Sequence, residues 1–511
     1  MRLGIDFGTT RTVVAAVRGG RYPVASFQTA DGFTEYLPGW AAFEEGQLQL
    51  GADVAVLPGI PLVRSVKATI TGAAPDETVA ALPGGRYSAL ELLTRYLVHV
   101  RQMLIDRSNL DIDPGEELEA MIAVPAHAST RQRYLTIEAF SRAGFTVAGL
   151  VNEPTAGAIE YARHTLGALS PRSQKRYVVV YDLGGGTFDT AAVSLVDRHF
   201  DLLGSEGIAR LGGNNFDEFL ADLVLEELGR SQEEVGERTY AHLLERCRLA
   251  KESLNPSSRR VLVDVAELFP VDQVVVNTSE LYQRTTPLIE RTLGAVQSIL
   301  GALVEHGIDP ENPREMGAVY LVGGSVQFPA VQRLLRTRFG RKVQLAPQPH
   351  AATAIGLAIA ADPNAEIFVR EVPTRHFGVW REGDLGREKI FDPIIEKRIG
   401  DEPQGPVRVE RVYHPAHAVG RLRFVECTAL GEDGQPQGEV TPWETILFPY
   451  DPALADRADL EPFCGGRGPS ELQEEIVETY EYTPSGLIRI AIENRTRGYR
   501  REYVLGSSAH L

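Results

Sequence analysis

The chain reads as an α/β protein built from two matched halves, followed by a smaller, mostly β unit. Three observations carry that reading. The stretch "LGIDFGTTRTVVAAV" (3–17) has the order strand, glycine turn, strand, and "YVVVYDLGGGTFDTAAVSL" (177–195) repeats it, each turn led by an aspartate. Segments of helical period lie between and after these two copies. Past about residue 365 the helical period stops and two-residue alternation takes over.

In chain order, the first hairpin is followed by "STRQRYLTIEAFSRAGF" (129–145), a helix with Ser129 as its N-cap and Gly144 as its stop. "EPTAGAIEYARH" follows, with Pro154 suited to a first helical turn. After the second hairpin, 214–228 and 240–254 have helical spacing, and a long helix is expected from Pro287 to Gly307. "AVYLVGGSVQFPAVQRLLRTRFG" (318–340) reads as strand, Gly-Gly turn, helix, and 350–362 as a close-packing helix of small residues. In the tail, 421–427, 476–482, 487–493 and 501–505 alternate as strands, with a loop expected over 450–470. The expected division is 1–364 for the α/β part and 365–511 for the β-rich part.

Composition narrows the function. A chain of 511 residues makes about three to four domain-sized units and buries a large core. A net charge of -17 argues against a nucleic-acid backbone as the main partner. Three cysteines in no metal or disulfide spacing fit a reducing compartment. The start has no signal-peptide pattern, and no run is long and apolar enough to span a membrane, so a cytoplasmic protein is expected.

The turns suggest chemistry. Glycines let backbone N–H groups converge on an anion, and two facing turns could clamp a polyphosphate. Aspartates beside phosphate call for a cation, and Mg²⁺ is held in this way, through one or two carboxylates, water and phosphate oxygens. Asp6 and Asp182 are the candidate pair, with hydroxyls from Thr9, Thr10 and Thr187 nearby. Either turn alone reads equally well as an ordinary hairpin; the matched pair favours the clamp.

At this point the chain resembles the actin-like ATPase superfamily, with its duplicated ribonuclease-H-like lobes. Within it, the chain resembles the seventy-kilodalton heat-shock chaperones of the DnaK type. The matching stretches are "GIDFGTT" (4–10), "AVPA" (123–126), "VNEPTAGAIEYA" (151–162), "YDLGGGTFD" (181–189), "LGGNNFD" (211–217), "LAKESL" (249–254) and "LVGGSVQFPAVQRLL" (321–335). "REVPTRHFGV" resembles the junction into that family's β substrate domain, and "EYTPSGLIRIAIENRTRG" (481–498) its last hairpins.

The resemblance implies slow, Mg²⁺-dependent ATP hydrolysis coupled to binding and release of unfolded or extended polypeptide segments. It implies ATP and ADP as ligands, and a J-domain protein and a nucleotide exchange factor as partners. Asp6 and Asp182 would hold the hydrated metal. Gly8, Thr9, Thr10, Gly184, Gly185, Gly186 and Thr187 would line the phosphates. Glu153 and Asp189 would orient the attacking water, and Lys67 stands where the family keeps its catalytic lysine. Gly212, Gly213, Lys251, Gly323, Gly324 and Ser325 would face the nucleotide.

Some positions depart from the family. Around the adenosine, its helix usually carries a glutamate and an arginine where this chain has Arg248 and Glu252. Glu252 reads as an exposed helix residue, and His350 as structural. The linker "AEIFVREV" (365–372) is more polar than the family's aliphatic run, and no helical lid is expected after the β strands. The rival readings are an actin-like filament or scaffold ATPase, a closed β tail that caps the ATPase lobes as an interaction module, and a sugar kinase. The β tail argues against a filament, and no stretch nominates a sugar cleft.

Overall fold

The computed structural model describes residues 1–30, 32–44, 47–56, 62–79, 87–165, 175–195, 200–310, 312–365, 367, 373–383, 388–397, 407–464, 474–483 and 486–505. The polar linker falls almost wholly outside them.

The duplication is visible in strand pairing. In the first lobe, strand Arg2–Phe7 is central: it pairs antiparallel with Arg11–Ala16 and parallel with Glu119–Val124. In the second lobe, Tyr177–Leu183 pairs antiparallel with Thr187–Ser194 and parallel with Met316–Val322. Each forms a five-stranded sheet with that strand in the middle. The turns match to the atom: the Gly8 N–H donates to the Arg11 carbonyl at 3.0 Å, and the Gly184 N–H to the Thr187 carbonyl at 3.0 Å. Each lobe has its own apolar core, with Leu3, Ile5 and Tyr96 in the first and Tyr181, Phe188 and Phe216 in the second.

Helices Glu153–Thr165 and Ala352–Ala361 cross beneath the two sheets. Small residues allow the approach: a Cβ on Gly356 would stand 1.8 Å from the Ala156 carbonyl oxygen, and one on Gly4 2.2 Å from the Ala358 nitrogen. The expected small-residue helix is therefore where the halves of the α/β part pack together.

Helix Thr130–Arg142 is capped by Ser129, whose Oγ accepts from the Gln132 N–H, and Gly144 follows with φ +87. Two helices differ from expectation. The segment around 240–254 belongs to Gln232–Glu252, kinked at Gly236. The helix expected to begin at Pro287 starts at Thr278 and runs to Ala302 with Pro287 inside it. Proline removes one backbone donor there. Thr285 and Thr286 bond back to the Leu281 and Tyr282 carbonyls in the same turns.

The C-terminal part is a β sandwich of two four-stranded antiparallel sheets. The four strands foreseen are present, as Val419–Leu430, Ile476–Tyr482, Ile488–Asn494 and Tyr499–Val504. Four more, His376–Gly383, Glu388–Ile395, Val407–Tyr413 and Pro436–Pro449, complete the sheets. The loop over 450–470 carries two short 3-10 turns, Pro452–Leu454 and Glu461–Phe463. Between the sheets, Phe377, Phe424 and Tyr480 pack together. Beside them lies a buried polar network. Glu478, fully buried, accepts from Arg381 at 2.7 Å and from the Tyr480 hydroxyl at 2.6 Å, while Arg381 and Arg411 share Asp392.

The sandwich rests on the first lobe. Glu426 accepts from the backbone N–H of Thr130 at 3.1 Å and from its hydroxyl. Arg131 donates to the Pro442 carbonyl at 3.1 Å and lies over the Trp443 ring. Arg375 reaches the His127 carbonyl at 3.4 Å and Glu439 at 3.1 Å.

Candidate functional site

The two glycine turns face each other across a cleft of about 480 Å³ between the lobes. Asp6, Gly8, Thr9 and Thr10 line it from the first lobe, and Asp182, Gly184, Gly185 and Thr187 from the second. Lys67, Glu153, Gly213, Lys251, Gly323, Gly324 and Ser325 also reach its wall. Gly186, Gly212 and Asp189 stand just behind it. The Gly212 N–H donates to Asn215 at the start of helix Gly213–Leu228, and Asp189 pairs with Asp182 across the hairpin.

Glycine is required in these turns. A Cβ on Gly185 would come within 2.5 Å of the Thr10 side chain, and one on Gly186 within 2.9 Å of Thr9. A Cβ on Gly212 would stand 2.5 Å from the Gly185 carbonyl oxygen. Gly323 has φ +86, and a Cβ there would meet the Leu183 carbonyl oxygen at 2.4 Å and Asp182 Oδ1 at 2.5 Å. The second turn thus packs its glycines directly against the Thr9 and Thr10 side chains of the first, which leaves a narrow cradle of the kind that backbone N–H groups offer to an anion.

Lys67 is positioned by a one-turn helix, Val66–Ile70. Ser65 caps it by accepting from the Ala68 N–H, and the same hydroxyl donates to the Thr9 carbonyl in the first turn. The helix is thereby fastened to the first glycine turn. Lys67 Nζ donates to Glu153 Oε1 at 2.7 Å, and the ammonium also lies 5.6 Å from the Phe7 ring centroid.

The electrostatics are those of a site built for more positive charge than the chain supplies. Burial, then the charge of Glu153, pushes the Asp6 and Asp189 carboxyls up to about 7, against the pull of Lys67. Asp182 is raised well above the carboxylate range by burial and by Glu153, Asp6 and Asp189. Burial alone would lower the Lys67 ammonium, but Glu153, Asp6 and Asp189 outweigh it and hold the group raised. Four carboxylates around one buried lysine leave net negative charge in low dielectric, which a bound divalent cation would offset. Among the described residues, no three His, Cys, Asp or Glu side chains gather closely enough to hold a metal on their own.

Two residues around the cleft, Asp217 and Arg11, are given no role by the sequence alone. Lys251 bonds the Gly213 carbonyl at 2.9 Å and pairs with buried Asp217 at 2.7 Å, so Asp217 fixes the lysine against the second-lobe wall of the cleft. Arg11, directly after the first turn, lies over Tyr36 and pairs with Glu252. Glu252 is exposed, as expected, and it also lines the cleft and accepts from Arg248 at 3.1 Å. His350 lines the cleft too and contacts Glu35 at 2.9 Å.

Duplicated lobes around a cleft, with a matched Asp-led glycine turn from each, define an actin-like nucleotide-binding fold. The model of one family within that class, described as "Hsp70 protein", matches residues 78–372. The chain belongs to the Hsp70 family. Among similar proteins, a chaperone protein HscA homolog of Pseudomonas putida is 31% identical over 85% of this chain and 66% of its own length. HscA homologs of Azotobacter vinelandii and Tolumonas auensis are 30% and 29% identical, each over 76% of this chain and 63% of their own lengths. The chain spans less than two thirds of the length of those two relatives.

Proposed function

We propose that the chain is an ATP-binding and ATP-hydrolysing chaperone of the DnaK type, whose β sandwich takes polypeptide segments under control of the nucleotide. The observation that carries the ATPase reading is Lys67, buried among Glu153, Asp6 and Asp189 where the two glycine turns meet. The backbone N–H groups of the turns, with Thr9, Thr10 and Thr187, bind the phosphates. Asp6 and Asp182 would hold Mg²⁺. Bound there, the cation supplies charge that offsets the crowded carboxylates and the phosphate oxygens. Glu153 and Asp189 orient a water, and the Lys67 ammonium offsets charge as the terminal phosphoryl group leaves. Lys251, Gly213, Gly323, Gly324 and Ser325 form the wall that holds the nucleoside side.

For the sandwich, the supporting observation is its contact with the first lobe at Thr130, Arg131 and His127, which gives lobe movement a route to the β strands. The HscA homologs' designation as chaperones points the same way. A J-domain protein and a nucleotide exchange factor are the matching partners.

The test is calorimetric titration with ATP and ADP, with and without Mg²⁺, alongside ATP turnover with a panel of unfolded peptides. Mg²⁺-dependent nucleotide binding and turnover that responds to peptide support the reading. Absence of Mg²⁺-dependent binding ends it.

A further inference from the structure

At the mouth of the cleft several first-lobe side chains meet the second lobe: Arg64 donates to the Ala241 carbonyl, Glu35 contacts His350, and Arg11 makes the charged pair that bears on the ligand space itself. Arg11 begins the strand that leaves the first glycine turn. Its guanidinium carbon lies 4.2 Å from the Tyr36 ring centroid, within cation–π range. Its Nη2 donates to Glu252 Oε1 at 2.5 Å, and Glu252 ends helix Gln232–Glu252 of the second lobe. Nη1 is close to the second lobe's other glycine turn, since a Cβ on Gly324 would stand 3.6 Å from it. Glu252 is itself held from behind by Arg248, which Glu245 anchors in turn. The two partners are 23% and 42% exposed, so the pair is neither buried in a lobe core nor free in solvent.

Two features separate this pair from an ordinary surface ion pair. The arginine is preordered by Tyr36 and the glutamate by Arg248, so forming the pair costs less side-chain freedom than usual. The partners also belong to different lobes and both line the cleft, so the lobes cannot part there without breaking the pair.

We propose that Arg11 and Glu252 form a latch across the cleft mouth, and that breaking this ion pair is a step in nucleotide release. The proposal rests on the nucleotide-binding reading of the cleft. The pair is a positioning device and takes no part in hydrolysis. Opening the cleft costs the ion pair, the Tyr36 contact and the order of two side chains, so the latch slows exchange without adding to the phosphate cradle.

The experiment is stopped-flow release of a fluorescent ADP analogue from the full chain, together with hydrogen exchange of residues 8–13 and 242–256 in the ligand-free chain. Arg11→Ala and Glu252→Ala should each release the analogue roughly five-fold faster, the scale of one partly exposed pair. The double variant should be no faster than either single one, because both remove the same interaction. The exchanged pair Arg11→Glu with Glu252→Arg should recover only part of the slow release, because it loses the Tyr36 contact and sets two arginines side by side, and high salt should speed wild-type release while leaving the single variants nearly unchanged. In the ligand-free chain, the same single variants should raise exchange at 242–256. Unchanged release and unchanged exchange in Arg11→Ala overturn the latch, as do additive effects in the double variant. A wild-type chain that binds no nucleotide overturns the reading of the cleft; the exchange arm then still decides whether the pair holds the lobes together.

Discussion

Lys67 Nζ stands 2.7 Å from Glu153 Oε1, and each side chain is only 11% exposed. A buried pair of this kind is held by its surroundings: Phe7 beneath the ammonium, and Asp6 and Asp189 close enough to raise it. Removing the lysine takes away the ammonium that pairs with Glu153 and faces Asp6 and Asp189. Lys67→Ala should therefore lower turnover by about 10²–10³-fold, the usual loss for one electrostatic contact made in the transition state. Mg²⁺-dependent nucleotide binding should persist, because the glycine cradle and the two aspartates remain. Single-turnover kinetics beside equilibrium titration checks this. Unchanged turnover would remove Lys67 from the reaction.

The crowded carboxylates also set a pH dependence. Asp6 and Asp189 titrate near 7 in the folded chain, against about 4 in the unfolded one. Between those values the folded state holds protons that the unfolded state has released, so stability falls as pH rises through that window. The ligand-free chain should melt at a lower temperature at about pH 8 than at about pH 6. Mg²⁺ with ADP should stabilise it more at the higher pH, where the carboxylates are ionised. Asp189→Asn should flatten the ligand-free slope. A melting temperature that climbs over this range would contradict the assignment.

Much of this architecture can be read from residues alone, because its signals are local. Asp6 and Asp182 each precede a glycine turn at a strand end, and the hydrogen bonds of the two turns are the same. Ser129 caps its helix from one position upstream. The missed features are non-local or run against local preference. Arg11 and Glu252 lie 241 residues apart, and nothing in either segment names the other. Pro287 looks like a helix start because proline is favoured there, yet the helix continues through it. Strands His376–Gly383, Glu388–Ile395 and Val407–Tyr413 carry Arg381, Asp392 and Arg411, whose charges are satisfied by one another and by Glu478. Charged side chains turned toward a partly buried network break the apolar alternation that marks a strand.

Gly356 offers a test of how the α/β part is joined. Alanine is the better helix former by up to about 1 kcal/mol, so propensity alone predicts a gain. The added Cβ, however, would stand 1.8 Å from the Ala156 carbonyl oxygen, a backbone atom in the crossing helix. That oxygen can move only with its helix, and overpacking of this kind costs about 1–3 kcal/mol. Gly356→Ala should lower the melting temperature. A rise would mean that the helices part easily at this crossing.

Glu426 links the β sandwich to the first lobe, and its ionisation should tune that contact. It is 3% exposed and accepts from the N–H and hydroxyl of Thr130 in the first turn of helix Thr130–Arg142. Burial raises its carboxyl above the ordinary value, outweighing the hydrogen bonds from Thr130 and the nearby Arg375, which favour the charged form. A carboxyl raised in the docked state binds its proton more tightly there than when the sandwich is released. Docking is then strongest below the ordinary carboxylate range and weakens as pH rises through the raised value. Mild acid should tighten the contact of sandwich and lobe. Glu426→Gln keeps an acceptor for Thr130 without a charge, so it should dock at least as well at neutral pH and lose this pH dependence. Glu426→Ala leaves the buried Thr130 N–H without its acceptor, at a cost of about 1–3 kcal/mol, and should release the sandwich. Trp443, which packs on Arg131 at the same contact, provides a fluorescence signal, and hydrogen exchange of residues 129–133 provides a second. Docking that tightens as pH rises, or an alanine variant indistinguishable from wild type by both probes, would show that Glu426 does not control the contact.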